Sequence, residues 1–433
     1  MNKKRNIFWF RRDLRLNDNR GLYEALIADK EVLPIFIFDQ EILNKLPKDD
    51  ARISYIHQEL ENINKQLNEI GSSLTVCIGR PKEVFSALSK KHEIDTVFCN
   101  HDYEPYAIQR DQEINELLSS KNIGFKSYKD QVIFERNEIT KKDGTAYKVY
   151  TPYSKKWLEA FEINGIQCFP SEDNLTKCVK NDSYQLPTLA EIGFKKSSIR
   201  VASYKVTSKL IDTYEETRNF PAKNSTSRLG THLRFGTVSV RKMVEKAAKS
   251  NNITFLKELI WREFFMQILW HFPQTTEHSF KPKYDRILWR NNENDFEAWC
   301  KGKTGYPLVD AGMRELNQTG FMHNRVRMLV GSFLCKHLLI DWRWGEAYFA
   351  EKLHDYEQSS NIGNWQWVAG CGVDAAPYFR IFNPTTQIQK FDKELNYIQK
   401  WVPEFQELTY DSPIVEHKFA RERCLKTYKE ALL

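Results

Sequence analysis

The chain has 433 residues, too many for one ordinary core, so at least two domains are expected. Hydrophobic residues at 41% exclude wholesale disorder, and no run of about 18 apolar residues is available to cross a membrane. A net charge of +7 suits an anionic partner without demanding one, and eight scattered cysteines with no Cys-x-x-Cys pair argue against a disulfide scaffold or a metal site.

The first ten residues, MNKKRNIFWF, begin charged, and Arg11-Arg12-Asp13 breaks the apolar run at once. The segment does not read as a signal peptide, so a cytoplasmic protein is expected. Over residues 1–130, short apolar runs at 7–10, 32–38, 74–78 and 96–99 alternate with helical patterns at 20–28, 54–71, 82–91 and 106–118. This alternation predicts an α/β domain, a parallel sheet with helices on both faces. It is Rossmann-like in order but has no G-x-G-x-x-G and no P-loop.

Residues 131–201 lose the pattern. KKDGTAYK, PSEDN and KNDSYQLP read as an inter-domain connection, with KVYTPYSKKW as its one apolar anchor. From 202 to 433 nearly every segment is helical: 207–217, 238–249, 255–270, 295–300, 307–318, 324–338, 344–352 and 387–400, with a basic helical tail after Trp401. The expected architecture is the α/β domain followed by a large all-α domain.

Four stretches in the second half carry chemistry. In YEETRNFPAKNSTSRLGTHLRFG, the turn Thr226-Ser227-Arg228-Leu229-Gly230 offers hydroxyls and backbone N–H groups ahead of a helix. That suits either a phosphate or a plain Ser/Thr cap. FLKELIWREFFMQILWHF is apolar on every side, so Glu258, Arg262 and Glu263 stand where unpaired charge is costly. Glu258, Trp261, Arg262 and Phe265 share one face, which reads either as a Glu258–Arg262 ion pair or as a polar and aromatic pocket wall. GYPLVDAGMRELNQTGFMHNRVRM places Asn324, Arg325 and Met328 on one face with Arg327 beside it; His323 reads as a core histidine. DYEQSSNIGNWQWVAGCGVDAAPYFRIFNP sets Asn361, Trp365 and Trp367 beside Ala369, Gly370 and Gly372. It reads as a glycine-rich loop over an aromatic core or as the wall of a planar ligand.

Together with FWFRRDLRLNDN near the N-terminus, these stretches resemble the DNA photolyase/cryptochrome family, and the match covers most of the chain. The resemblance implies FAD bound in a U-shape within the helical domain. Tyr214, Thr226, Ser227, Arg228, Leu229 and Gly230 would hold its phosphates, and Phe255, Arg262, Tyr356 and Glu357 would line it. Asp355 would pair with Arg327 beside the flavin and Asn361 would face its N5. Members often carry Ser at the place of Gly230 and Asp at that of Glu357. Trp365, Trp342 and Trp289 would form the family's electron relay; as residues alone they read equally as core tryptophans.

On the substrate side the resemblance implies damaged DNA containing pyrimidine dimers, with the lesion flipped out of the duplex. Trp261 and Trp367 would stack on it, Glu258 would hydrogen-bond its edge, and Asn324, Met328 and Arg262 would line the pocket. Arg218, Arg325, Arg380 and Gln387 would contact the flanking backbone. Met328 in place of a second pocket histidine, and Trp367 in place of Tyr, point to a cyclobutane pyrimidine dimer photolyase. The alternatives implied are a blue-light signalling cryptochrome and a DASH-type or (6-4) photolyase. An antenna chromophore of unassigned identity would belong to the N-terminal domain; no metal is expected, no membrane partner, and the chain reads as a monomer.

Overall fold

The computed structural model describes residues 4–180 and 185–433. The first three residues of the charged N-terminus and residues 181–184 of KNDSYQLP lie outside the described residues. The chain forms two compact units, neither of them one continuous segment. The first takes Met1–Glu135, Glu159–Ala202 and Leu229–Lys246; the second takes Arg136–Leu158, Ser203–Arg228 and Ala247–Leu433. The interval 131–201 read as a connection is thus shared between them.

In the first unit, β1 (Arg5–Phe10), β2 (Val32–Asp39), β3 (Thr75–Gly79), β4 (Ile94–Asn100) and β5 (Gly124–Tyr128) form a parallel sheet in the order β3-β2-β1-β4-β5. Alternation along β1 sends Phe8 and Phe10 to one face, with Leu22, Ile53, Leu60 and Leu67 of two helices. Ile7 and Trp9 go to the other, with Phe85, Ile114 and Leu118 of two more. Both faces are therefore covered, as the alternation predicted. Every residue of β2 is buried, which is why it reads as an unbroken apolar run.

The FWFRRDLRLNDN motif is spent inside this unit on ion pairing. Arg15 meets Asp130 at 2.6 Å, Arg241 meets Asp18 at 3.0 Å and Asp130 at 2.8 Å, and Arg12 meets Asp102 at 3.0 Å. All are largely buried, so loss of one partner would strand a charge away from water.

The second unit is helical. The all-apolar helix is Thr254–His271, and Asn324–Ser332 leads directly into a π-helical turn, Phe333–His337, where one helix to 338 was expected. Two expected helices are split. The 207–217 pattern forms Ser208–Asp212 and Tyr214–Thr217, and the 387–400 pattern forms Pro384–Phe391 and Asn396–Trp401. The stretch weighed as a glycine-rich loop is a helix, Gln358–Ala369, ended by Gly370 at φ +92°. The basic tail is the helix His417–Leu432, docked by buried Ala420, Cys424 and Tyr428. No helix among the described residues is long and apolar enough to cross a membrane.

Candidate functional site

Within the second unit the named residues collect from three walls. The Thr254–His271 helix is buried on nearly every side, yet Glu258, Trp261 and Arg262 are only half-buried and mark its open face. Of the two readings of this face, the Glu258–Arg262 ion pair does not form. Glu258 binds Arg218, and Arg262 Nη2 reaches Glu357 Oε1 at 3.1 Å. Each helix charge thus takes a partner from another segment, so the open face presents ion pairs directed across the site. Glu263 faces the other way, accepting from Trp157 Nε1 at 2.5 Å.

The second wall begins at His323, the N-cap of Asn324–Ser332, whose Nδ1 accepts the Arg325 N–H at 3.2 Å. Arg327 grips Asp355 with both terminal guanidinium nitrogens, at 3.2 and 2.9 Å, and its Nε holds the Met322 carbonyl at 2.7 Å. Arg325 donates to Asn219 at 2.5 Å, lies 4.4 Å from the Phe391 ring, and approaches Met328 Sδ at 3.7 Å. Asn324 is exposed. The positive charges leave a mark: burial first, then Arg327, Arg228, Arg325 and Arg218, hold His323 down to about 4.

The third wall is Gln358–Ala369. Asn361 is buried, and its Nδ2 donates to Glu346 O at 3.0 Å and Glu346 Oε1 at 2.9 Å. Burial raises the Glu346 carboxyl, while the hydrogen bonds from Asn361 and Tyr356 pull it back. Nothing in the sequence marked Glu346; it stands 15 residues before Asn361, on the neighbouring helix Trp342–Lys352.

Around these walls, Tyr214 meets Phe255 edge-to-face at 5.2 Å, and Arg218 lies 5.4 Å from the Tyr214 ring. Arg228 sits at φ +57° with its guanidinium 3.6 Å from the centre of Phe321. Thr226 and Ser227 are half-buried, and the Ser227 carbonyl accepts the Lys205 N–H at 2.8 Å. Leu229 and Gly230 belong to the first unit; Leu229 is the N-cap of Gly230–Arg234 and supplies no side-chain cap. Trp367 and Gln387 are half-buried and Arg380 is exposed. Buried Lys336 holds the Arg380 carbonyl at 2.8 Å.

Trp365 and Trp342 are buried and Trp289 is half-buried. Their ring neighbours are not one another. Trp365 contacts Trp299 at 6.1 Å and Phe349 at 4.9 Å, Trp289 contacts Tyr428 at 5.9 Å, and Trp342 lies 4.7 Å from the Arg343 guanidinium.

Residues 255–409 match the family described as FAD binding domain of DNA photolyase, and residues 6–172 match DNA photolyase. A deoxyribodipyrimidine photo-lyase of Agrobacterium fabrum is 35% identical, over 98% of this chain and 97% of its own length. A photolyase structure from Sulfolobus tokodaii, described as holding two FAD molecules, aligns with a TM-score of 0.84 at 35% identity, covering 98% of this chain and 99% of that one. A Synechocystis cryptochrome structure aligns with the same TM-score at 26% identity, covering 99% of this chain and 100% of that one.

Proposed function

The chain belongs to the DNA photolyase family, and from that premise we propose that it repairs cyclobutane pyrimidine dimers in DNA, driven by light. The observation that carries this reading is the open face of Thr254–His271, where a carboxylate, Glu258, stands beside a half-buried indole, Trp261. A flipped-out dimer needs both: a plate for its rings and an acceptor for its imide N–H. Trp367 supplies a second plate in this reading, with Met328 and Asn324 at the margin. Arg218 binds Glu258 and fixes its carboxylate on the open face, and Arg325, Arg380 and Gln387 take the flanking phosphates. The one histidine of the second wall is committed as a helix cap, which favours the cyclobutane dimer over the (6-4) lesion.

The FAD-binding domain spans residues 255–409, and the donor set fits that cofactor. Arg228, Arg262 and Arg327 with the hydroxyls of Thr226, Ser227 and Tyr214 suit a diphosphate and ring carbonyls, and Asp355 and Glu357 suit ring and ribose donors. The electropositive surroundings that depress His323 are those a dianion requires. Bound there in reduced form, FAD would supply a light-excited electron that opens the cyclobutane ring and would take it back once the ring has split. The protein's own share is to hold Asn361 by Glu346, to exclude water with Phe255 and Tyr356, and to keep Trp365, Trp342 and Trp289 as the supply route for electrons.

For a second chromophore we place the site in the first unit, in a cleft of about 430 Å³ lined by Glu41, Arg80, Tyr106, Arg110 and Glu113. Arg80 directly follows β3 and Glu41 is the second residue after β2, so the cleft lies outside the carboxyl ends of the strands, where open α/β sheets bind ligands. The test of the lesion assignment is repair of two oligonucleotides, one with a thymine cyclobutane dimer and one with a (6-4) product, by flavin-reduced protein in light and dark. Light-dependent loss of the cyclobutane dimer alone is expected. Repair of the (6-4) product alone would reverse the assignment, and repair of neither would favour signalling.

A further inference from the structure

The anchor KVYTPYSKKW has no part in the function above, yet it places Tyr150, the first residue of the helix Tyr150–Asn164, directly against Trp261. The two rings are face to face, with centroids 3.7 Å apart and planes 7° apart. Phe264 meets both edge-on, at 5.9 Å from Tyr150 and 5.6 Å from Trp261. Tyr150 is itself fixed at two further points. Its hydroxyl donates to the Lys257 carbonyl at 2.8 Å, and its backbone N–H donates to Asp374 Oδ2 at 3.1 Å. It is 8% exposed; the stack and the hydroxyl bond hold its ring, and the bond to Asp374 holds its backbone.

This arrangement closes one face of the Trp261 indole. A base that stacks on Trp261 must use what remains of the half-buried ring, and the plane it meets is set by Tyr150. Building on the photolyase reading, we propose that Tyr150 is a positioning residue: it fixes the plane of Trp261 for the flipped-out dimer and, through Asp374, couples that plane to the segment bearing Arg380. An indole free to rotate about its side-chain bonds would lose that freedom on stacking, and the loss would weaken lesion binding. A pre-fixed indole has nothing left to lose. Burial, and after it the nearby Glu258 charge, push the Tyr150 phenol up, so it stays protonated and remains a donor to Lys257.

The test compares wild type, Tyr150→Ala and Tyr150→Phe, each loaded with FAD, for affinity to a single-stranded oligonucleotide with and without one thymine dimer. Tyr150→Ala should weaken lesion affinity about tenfold while changing affinity for the undamaged strand and flavin content little. Tyr150→Phe, which keeps the ring and loses only the hydroxyl, should return to within about threefold of wild type. Lesion affinity unchanged in Tyr150→Ala would overturn the proposal alone. So would a parallel loss of lesion, undamaged-strand and flavin binding, which marks a merely structural role. A wild-type protein with no preference for the dimer would overturn the photolyase reading and the proposal with it.

Discussion

Asn361 donates its amide nitrogen to two oxygens of Glu346, which leaves its own oxygen as the acceptor proposed for the flavin. Glu346→Ala removes one of those acceptors and lets the amide rotate. Flavin titration should then show affinity weaker by about fivefold, near 1 kcal/mol, with a shifted flavin absorption band. Alongside buried His337, His323 contributes to the pH behaviour. Its folded pKa of about 4 lies below the ordinary 6.5, so it contributes stability that is fully present above 6.5 and lost as pH falls toward 4. Thermal melts should drop across that window by as much as about 3 kcal/mol of stability. His323→Asn, which keeps a cap acceptor, should flatten the slope. The sequence singled out Glu258 and Arg262 on a buried helix but not their partners. Glu258 and Arg262, four apart, suggested each other, but Arg218 and Glu357 claimed them, because partners from distant segments meet only in the folded chain. Glu346 and Tyr150 were illegible for the same reason.

The helices Trp342–Lys352 and Gln358–Ala369 approach closely enough that a methyl group on Gly345 would stand 2.1 Å from the Trp365 ring and 2.6 Å from Leu334. Trp365 is buried and boxed by Trp299 and Phe349, so it cannot yield cheaply. Gly345→Ala should cost about 1–3 kcal/mol in a denaturant titration and slow photoreduction of bound flavin by displacing Trp365. The parallel sheet was legible because buried strands read as apolar runs between helical periods. β5 was not, since GFKSY is an edge strand with no fully buried residue. Gln358–Ala369 hid its helix because Ser, Asn and Gly weaken local propensity, and packing overrides them. The π-turn at Phe333–His337 left no sequence signal, its residues being as apolar as the helix before it.

Across the whole protein, the net charge of +7 is modest, and it is the local collection of Arg218, Arg325 and Arg380 that makes a polyanion site credible. Arg380→Ala should weaken binding to damaged and undamaged DNA alike and reduce the slope of log affinity against log salt by about 1. Glu258→Ala should act differently, sparing undamaged DNA and the salt slope while reducing discrimination. Repair itself therefore separates these roles. Flavin-reduced wild type and Glu258→Ala are each given an oligonucleotide with one thymine dimer, and restored thymines are counted after equal light doses and in the dark. Repair by wild type is expected only in the light, and at least about tenfold less by Glu258→Ala with flavin content unchanged. Equal repair by both proteins would remove Glu258 from the lesion site, and none by wild type with FAD bound and reduced would overturn the repair activity.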